Sequence, residues 1–282
     1  MDALLVLSLL LSGVIGFALG VFGGGGSILA VPMLVFVTRV APSAAVGMSL
    51  AIVGATSLVA GYAHHRRGQV RIKVALLFGG AGILTAFLGA RLTHLVSGEV
   101  LMLAFAALMI LVGGWMLKSA PQVQPTVSRD DNAAEPRRPR MVQALLAGAV
   151  VGGITGFLGV GGGFLVVPAL IAFAGIGMRE AVGTSLLVIA INSAAGFVGH
   201  MGTGALNLGL VAVLTIAAVV GAVVGERTGR AVSIAKLRHG FAVFVIAVGI
   251  AVAASSVNGG VASVPTVREN PTARATDVEP AL

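Results

Sequence analysis

The chain contains no cysteine in 282 residues. Disulfides, thiolate nucleophiles and cysteine metal sites are thereby excluded. Charge is scarce as well, with only 10% of residues Asp, Glu, Lys or Arg. Soluble domains carry roughly 25%, so a water-soluble globule is excluded. No Asp or Glu falls in the centre of an apolar segment, and Glu99, Glu180 and Glu226 all sit near segment ends. That argues against a cation pump with an acidic relay. The start, Met1-Asp2, lacks a basic stretch, and the first segment runs into glycines with no clear small-residue cleavage site. It is expected to belong to the mature protein and not to be a signal peptide.

What the chain does have is apolar length. Hydrophobic residues make up 57% and the mean hydropathy is +1.04. Apolar segments run at 3–22, 27–38, 44–63, 72–92 and 100–117, then at 141–158, 163–177, 181–199, 206–225 and 237–255. Most are long enough to cross a hydrocarbon core of ~30 Å, which makes this an all-α polytopic membrane protein. The net charge of +8 comes from basic residues lying between these segments. Orientation in a bilayer explains it better than nucleic acid does. The polar stretch 118–140 reads as a cytoplasmic linker and 256–282 as a disordered tail, both rich in Pro and charge.

The chain repeats itself. Gly16, Gly20, Gly23, Gly25 and Gly26 recur 136 positions on as Gly152, Gly156, Gly159, Gly161 and Gly162, and Val31-Pro32 recurs as Val167-Pro168. Ala45-Val46-Gly47 and Ser49-Leu50 recur as Ala181-Val182-Gly183 and Ser185-Leu186. The repeats are 1–117 and 141–255. Their relative orientation turns on the short segment 27–38, because about twelve helical residues span only ~18 Å. Charge favours inversion. The loop at 64–73 carries four basic residues where its counterpart at 200–207 carries none. Conversely, 226–239 carries four where its counterpart has only Arg91. Inverted repeats put nearly all Lys and Arg on one side, with the N-terminus outside and the linker inside. Each repeat would then hold four spanning helices plus a short or re-entrant helix after a glycine-rich break.

The breaks are VFGGGGSILAVPML at 21–34 and FLGVGGGFLVVPAL at 157–170. Glycine in a helix costs about 1 kcal/mol relative to alanine, so runs of it mark backbone that must be interrupted and approachable. No Lys-Ser/Thr follows, which argues against a nucleotide loop. Glycines spaced by four at 16, 20 and 24, and at 148, 152 and 156, fit close helix packing instead. Inverted repeats with broken helices are a transporter architecture, and a helix N-terminus there suits an anion. The following segments would begin near Ser27 and Gly163. In AVGMS (45–49) and AVGTS (181–185), Ser49 and Ser185 each share a face with a serine eight positions on, Ser57 and Ser193. Asn192, the group most expensive to bury in lipid, is expected to face the interior. His64, His200, Arg91 and Arg227 read as interfacial, snorkelling residues.

The glycine run followed by Val-Pro, then AVGTSL (181–186), an Asn in the second half and Gly68-Gln69-Val70, resembles the TauE/SafE family of sulfite exporters over roughly 10–255. The resemblance implies a transporter of small anions such as sulfite or sulfonates in the prokaryotic cytoplasmic (inner) membrane. The first half departs at Gly24, Met48 and Thr56. On this reading the expected function is alternating-access transport of sulfite or an organosulfonate, with an anion channel using the same pocket as the alternative. Substrate would be held at Gly23, Gly24, Gly25, Gly26, Ser27, Ser49, Gly159, Gly161, Gly162, Gly163, Thr184, Ser185 and Asn192. Pro32 and Pro168 would set the geometry after each break. No catalytic residue, metal or cofactor is expected, and the partners are the substrate anion and the bilayer, not nucleic acid.

Overall fold

The computed structural model describes residues 3–40, 42–92, 98–118, 141–158, 163–200 and 207–257. The linker and tail expected from sequence lie almost wholly outside these. Among the described residues the chain is all-helical. Its helices are α1 (Ala3–Phe22), α2 (Ala30–Pro32), α3 (Pro42–His65), α4 (Ile72–Leu92), α5 (Gly98–Lys118), α6 (Met141–Leu158), α7 (Gly163–Ala169), α8 (Met178–His200), α9 (Leu208–Ala231) and α10 (Ile234–Val257). Six of them, α1, α3, α4, α8, α9 and α10, contain a stretch long and apolar enough to cross a membrane. The helix is the natural state for such segments, since it satisfies every interior backbone polar group within the segment.

The two short segments are irregular. The first starts as a 3-10 turn at Gly25–Leu29, passes through α2 and widens into a π turn at Met33–Val37. The second runs through α7 and widens likewise at Leu170–Ala174. Proline explains the widening: it has no N–H to donate and its ring crowds the carbonyl four residues back. Pro32 closes α2 and Pro168 lies inside α7, and a looser turn follows each. At about 18–20 Å neither segment crosses a bilayer alone. The first helical turn begins at Gly25, two residues before the start expected at Ser27, so the break itself is confined to Gly23 and Gly24.

Four helix pairs carry the packing: α1 with α9, α4 with α6, α3 with α8, and α5 with α10. Without a hydrophobic force between helices in lipid, close backbone approach supplies the attraction. Gly16 and Gly20 of α1 lie on the backbone of Ala218 and Ala222 in α9. Gly148, Gly152 and Gly156 of α6 lie on Phe78, Gly82 and Ala86 of α4. The segment α7 is wholly enclosed, with Phe164 edge-on to Phe105 of α5 at 5.5 Å. That placement lets irregular backbone exist at membrane depth. The outer surface carries Leu84 (72% exposed), Leu111 (68%) and Ile216 (65%), the apolar exterior of a multi-pass membrane protein.

Candidate functional site

The first glycine break meets the start of α7. Gly24 stands against Gly163 so closely that a methyl group on Gly24 would overlap the Gly163 carbonyl oxygen. A methyl on Gly163 would in turn press on the Ser27 hydroxyl and lie 3.1 Å from the Gly24 carbonyl oxygen. Ser27 donates its hydroxyl to that same carbonyl at 2.8 Å. Gly23 has φ +77°, a left-handed conformation that L-residues adopt only under strain. This is where the chain leaves α1, and the freed Gly23 carbonyl accepts a hydrogen bond from Ser185 of α8 at 3.1 Å. The same hydroxyl also reaches the Val182 carbonyl at 2.8 Å.

The AVGTS stretch of α8 deals its side chains to separate tasks. Gly183 packs on His64 and the Gln69 carbonyl. The Thr184 hydroxyl accepts from the Arg71 N–H at 3.1 Å, which ties down the start of α4. Ser185 turns to the break. Four residues on, Ile189 meets the position a side chain on Gly163 would fill, and Asn192 follows one turn later on the same stripe. The buried Oδ1 of Asn192 has no hydrogen-bond partner among the described residues and faces Gly79 of α4.

Of the residues expected from sequence, Gly23, Gly24, Ser27, Gly163 and Ser185 are thus brought together. Gly25 and Gly26 sit behind the junction: Gly25 makes room for the Phe244 ring and Gly26 for the Ile15 carbonyl. Ser49 closes its hydroxyl on its own helix, at the Val46 carbonyl, 2.8 Å away, as hydroxyls in helices commonly do. Thr184 faces the α3–α4 connection and not the junction. Gly159, Gly161 and Gly162 lie outside the described residues.

Sequence reasoning missed a second polar cluster beside the junction. Glu226, 4% exposed, is paired with Arg67 and, at 3.2 Å, with Arg230. His64, expected at the interface, is only 7% exposed and shares a hydrogen bond of 2.8 Å with Gln69. The available signal was the Glu226–Arg230 spacing of four on an apolar helix.

A family model described as Sulfite exporter TauE/SafE matches residues 8–252. A "Probable membrane transporter protein" of Xylella fastidiosa (strain 9a5c) is 39% identical over 63% of this chain and 66% of its own length; the chain therefore spans just under two thirds of that relative. "Probable membrane transporter protein YunE" of Bacillus subtilis (strain 168) is 30% identical over 82% of this chain and 88% of its own. The Methanocaldococcus jannaschii "Probable membrane transporter protein MJ0441" is 26% identical over 71% and 74%. No solved structure matches the chain.

Proposed function

Because the chain belongs to the sulfite exporter TauE/SafE family, a family of transporters and not of enzymes, we propose that it moves a small oxyanion, sulfite or an organosulfonate, across the cytoplasmic membrane by alternating access. The observation that carries this reading is the meeting of Gly24 with Gly163. The interrupted backbone of the first half and the start of α7 in the second converge at one buried point, and helix starts of this kind suit an oxyanion. Ser27 and Ser185 are the side-chain ligands at the junction, with Asn192, whose buried Oδ1 has no partner among the described residues, as a further ligand once the segments part; Ser49 and Thr184 are engaged elsewhere. From the second half, Gly163 at the start of α7 completes the site. With Gly24 in contact with Gly163 there is no room for substrate, so loading requires the two break segments to part.

The same reading includes inverted repeats, and the helix pairing supports a two-fold relation between halves. The contacts of Ser12 with Leu214, Gly16 with Ala218 and Gly20 with Ala222 have counterparts 136 positions away in each member. These are Gly148 with Phe78, Gly152 with Gly82 and Gly156 with Ala86. Exchanging the halves leaves the contacts unchanged. Inversion itself rests on loop charge and is tested by single cysteines, which the cysteine-free chain makes clean. Arg66→Cys is expected to label only from the cytoplasmic side and Thr203→Cys only from the outside. Labelling of both from one side sinks inversion.

Export of a monovalent anion down an inside-negative potential gains ~2.3 kcal/mol per charge per 100 mV, so no acidic relay is needed. Sulfite efflux from proteoliposomes under an imposed potential, with taurine, sulfoacetate, sulfate and oxalate as competitors, tests the proposal. Saturable, potential-sensitive efflux blocked by one competitor is expected. Flux that neither saturates nor shows counter-transport would make the protein a channel, and no flux of any of these anions would remove the substrate assignment.

A further inference from the structure

The cluster around Glu226 holds more positive charge than its ion pairs use. Arg67 and Arg230 pair with Glu226, while Arg179 of α8 spends one terminal nitrogen on the carbonyls of Arg230 and Val232, each at 3.3 Å. Among the described residues its buried Nε has no partner, and neither has Nε2 of His64. Both residues line one cavity of about 20 Å³, bounded also by Glu226, Gly20 and Val182, which is the room of a single water. Val182 is the residue whose carbonyl abuts Gly23, so the cavity adjoins the glycine junction. Two guanidinium groups pair with the carboxylate, and a third, with one imidazole, lines the cavity beside it. With Nδ1 of His64 donating to Gln69 Oε1, Nε2 is bare in the neutral ring and becomes a donor in the protonated one.

We infer that this cluster is a second anion station next to the junction, with the Glu226 carboxylate as its built-in, displaceable occupant. A carboxylate and a small oxyanion present the same chemistry to guanidinium groups: negative oxygens in a plane or tripod that accept paired N–H bonds. The cavity is too small for a sulfite-sized anion beside Glu226, so the anion takes the place of the carboxylate and inherits Arg67 and Arg230. Arg179 Nε supplies the donor that Glu226 leaves unused, and His64 Nε2 joins it only when the ring is protonated. The inference rests on the reading of a small oxyanion as the transported species, but it concerns binding at equilibrium and is separable from flux.

The test uses the full chain purified in nanodiscs. Sodium sulfite, and sodium sulfate in parallel, are titrated at constant ionic strength against sodium chloride, with binding read calorimetrically. Glu226→Gln removes the competing charge and is expected to tighten binding by about tenfold or more, the effect of one like charge in a partly buried site. Arg179→Gln is expected to weaken it by a similar factor. Equal or weaker binding by an assembled Glu226→Gln chain overturns the station. Should that variant fail to assemble, Arg179→Gln alone decides: unchanged affinity overturns the station and a loss supports it. The anion response of the station is expected to survive in Gly24→Ala. Loss of flux in the unaltered chain with this response intact would sink the transport reading and not the station, whereas flux with no response to either substitution would do the reverse.

Discussion

Gly24→Ala is expected to lower sulfite efflux at least tenfold while the protein inserts and elutes as the unaltered chain does. One methyl group suffices because its position is already taken by the Gly163 carbonyl oxygen, a backbone atom that cannot rotate away. The two break segments must separate, and groups that position a ligand lose up to ~10²-fold in function for a displacement of about 1 Å. The scaffold should survive, because the long pairs α1–α9 and α4–α6 do not pass through this contact. Efflux is measured in proteoliposomes at matched protein content, with Gly114→Ala, a helical site where an added methyl meets nothing within 4 Å, as the control. Normal flux through an assembled Gly24→Ala chain would remove the junction from the transport path.

Gly152→Leu is expected to destabilise the fold by about 3 kcal/mol or more, the upper range for overfilling a packed interior. A Cβ there would overlap the backbone carbonyl of Gly82 and press on its Cα and on the Thr85 hydroxyl 2.6 Å away. Helix α6 would have to back away from α4 along a seam that Gly148 and Gly156 also occupy. The contrast is Gly80→Ala on α4, where nothing lies within 4 Å. It should gain about 0.5–1 kcal/mol from the reduced freedom of the unfolded chain. Thermal unfolding in detergent, followed by the loss of the monodisperse peak, compares the two. Equal stability of Gly152→Leu and the unaltered chain would mean that α4 and α6 do not meet through these glycines.

The glycine seams were partly legible. Spacing of four among Gly16 and Gly20, and among Gly148, Gly152 and Gly156, announces a face that another backbone can approach. It does not name the other backbone. In the continuous runs the four glycines 23–26 look alike, yet only Gly23 and Gly24 form the break. Gly25 and Gly26 are small because Phe244 and the Ile15 carbonyl need the space. Ser49 and Ser185 occupy equivalent places in the two repeats. One bonds within its own helix and the other reaches across to Gly23, a difference made by their neighbours. The sequence places Glu226 at a segment end, because the apolar run stops before it. Helix α9 continues to Ala231, and Arg67, contributed from the connection after α3, covers the carboxylate.

The apolar surroundings, the helical class and the break after α1 are all legible in the residues alone. Hydropathy, loop charge and glycine runs act within a few neighbouring residues, so they survive without a fold. Which surfaces meet is set by the packed fold. The apolar faces of these helices are nearly uniform in chemistry, so hydropathy cannot rank their pairings. What selects α1 for α9, or Gly24 for Gly163, is the fit of one backbone against another. The same packing gathers three scattered arginines and a histidine around one buried glutamate.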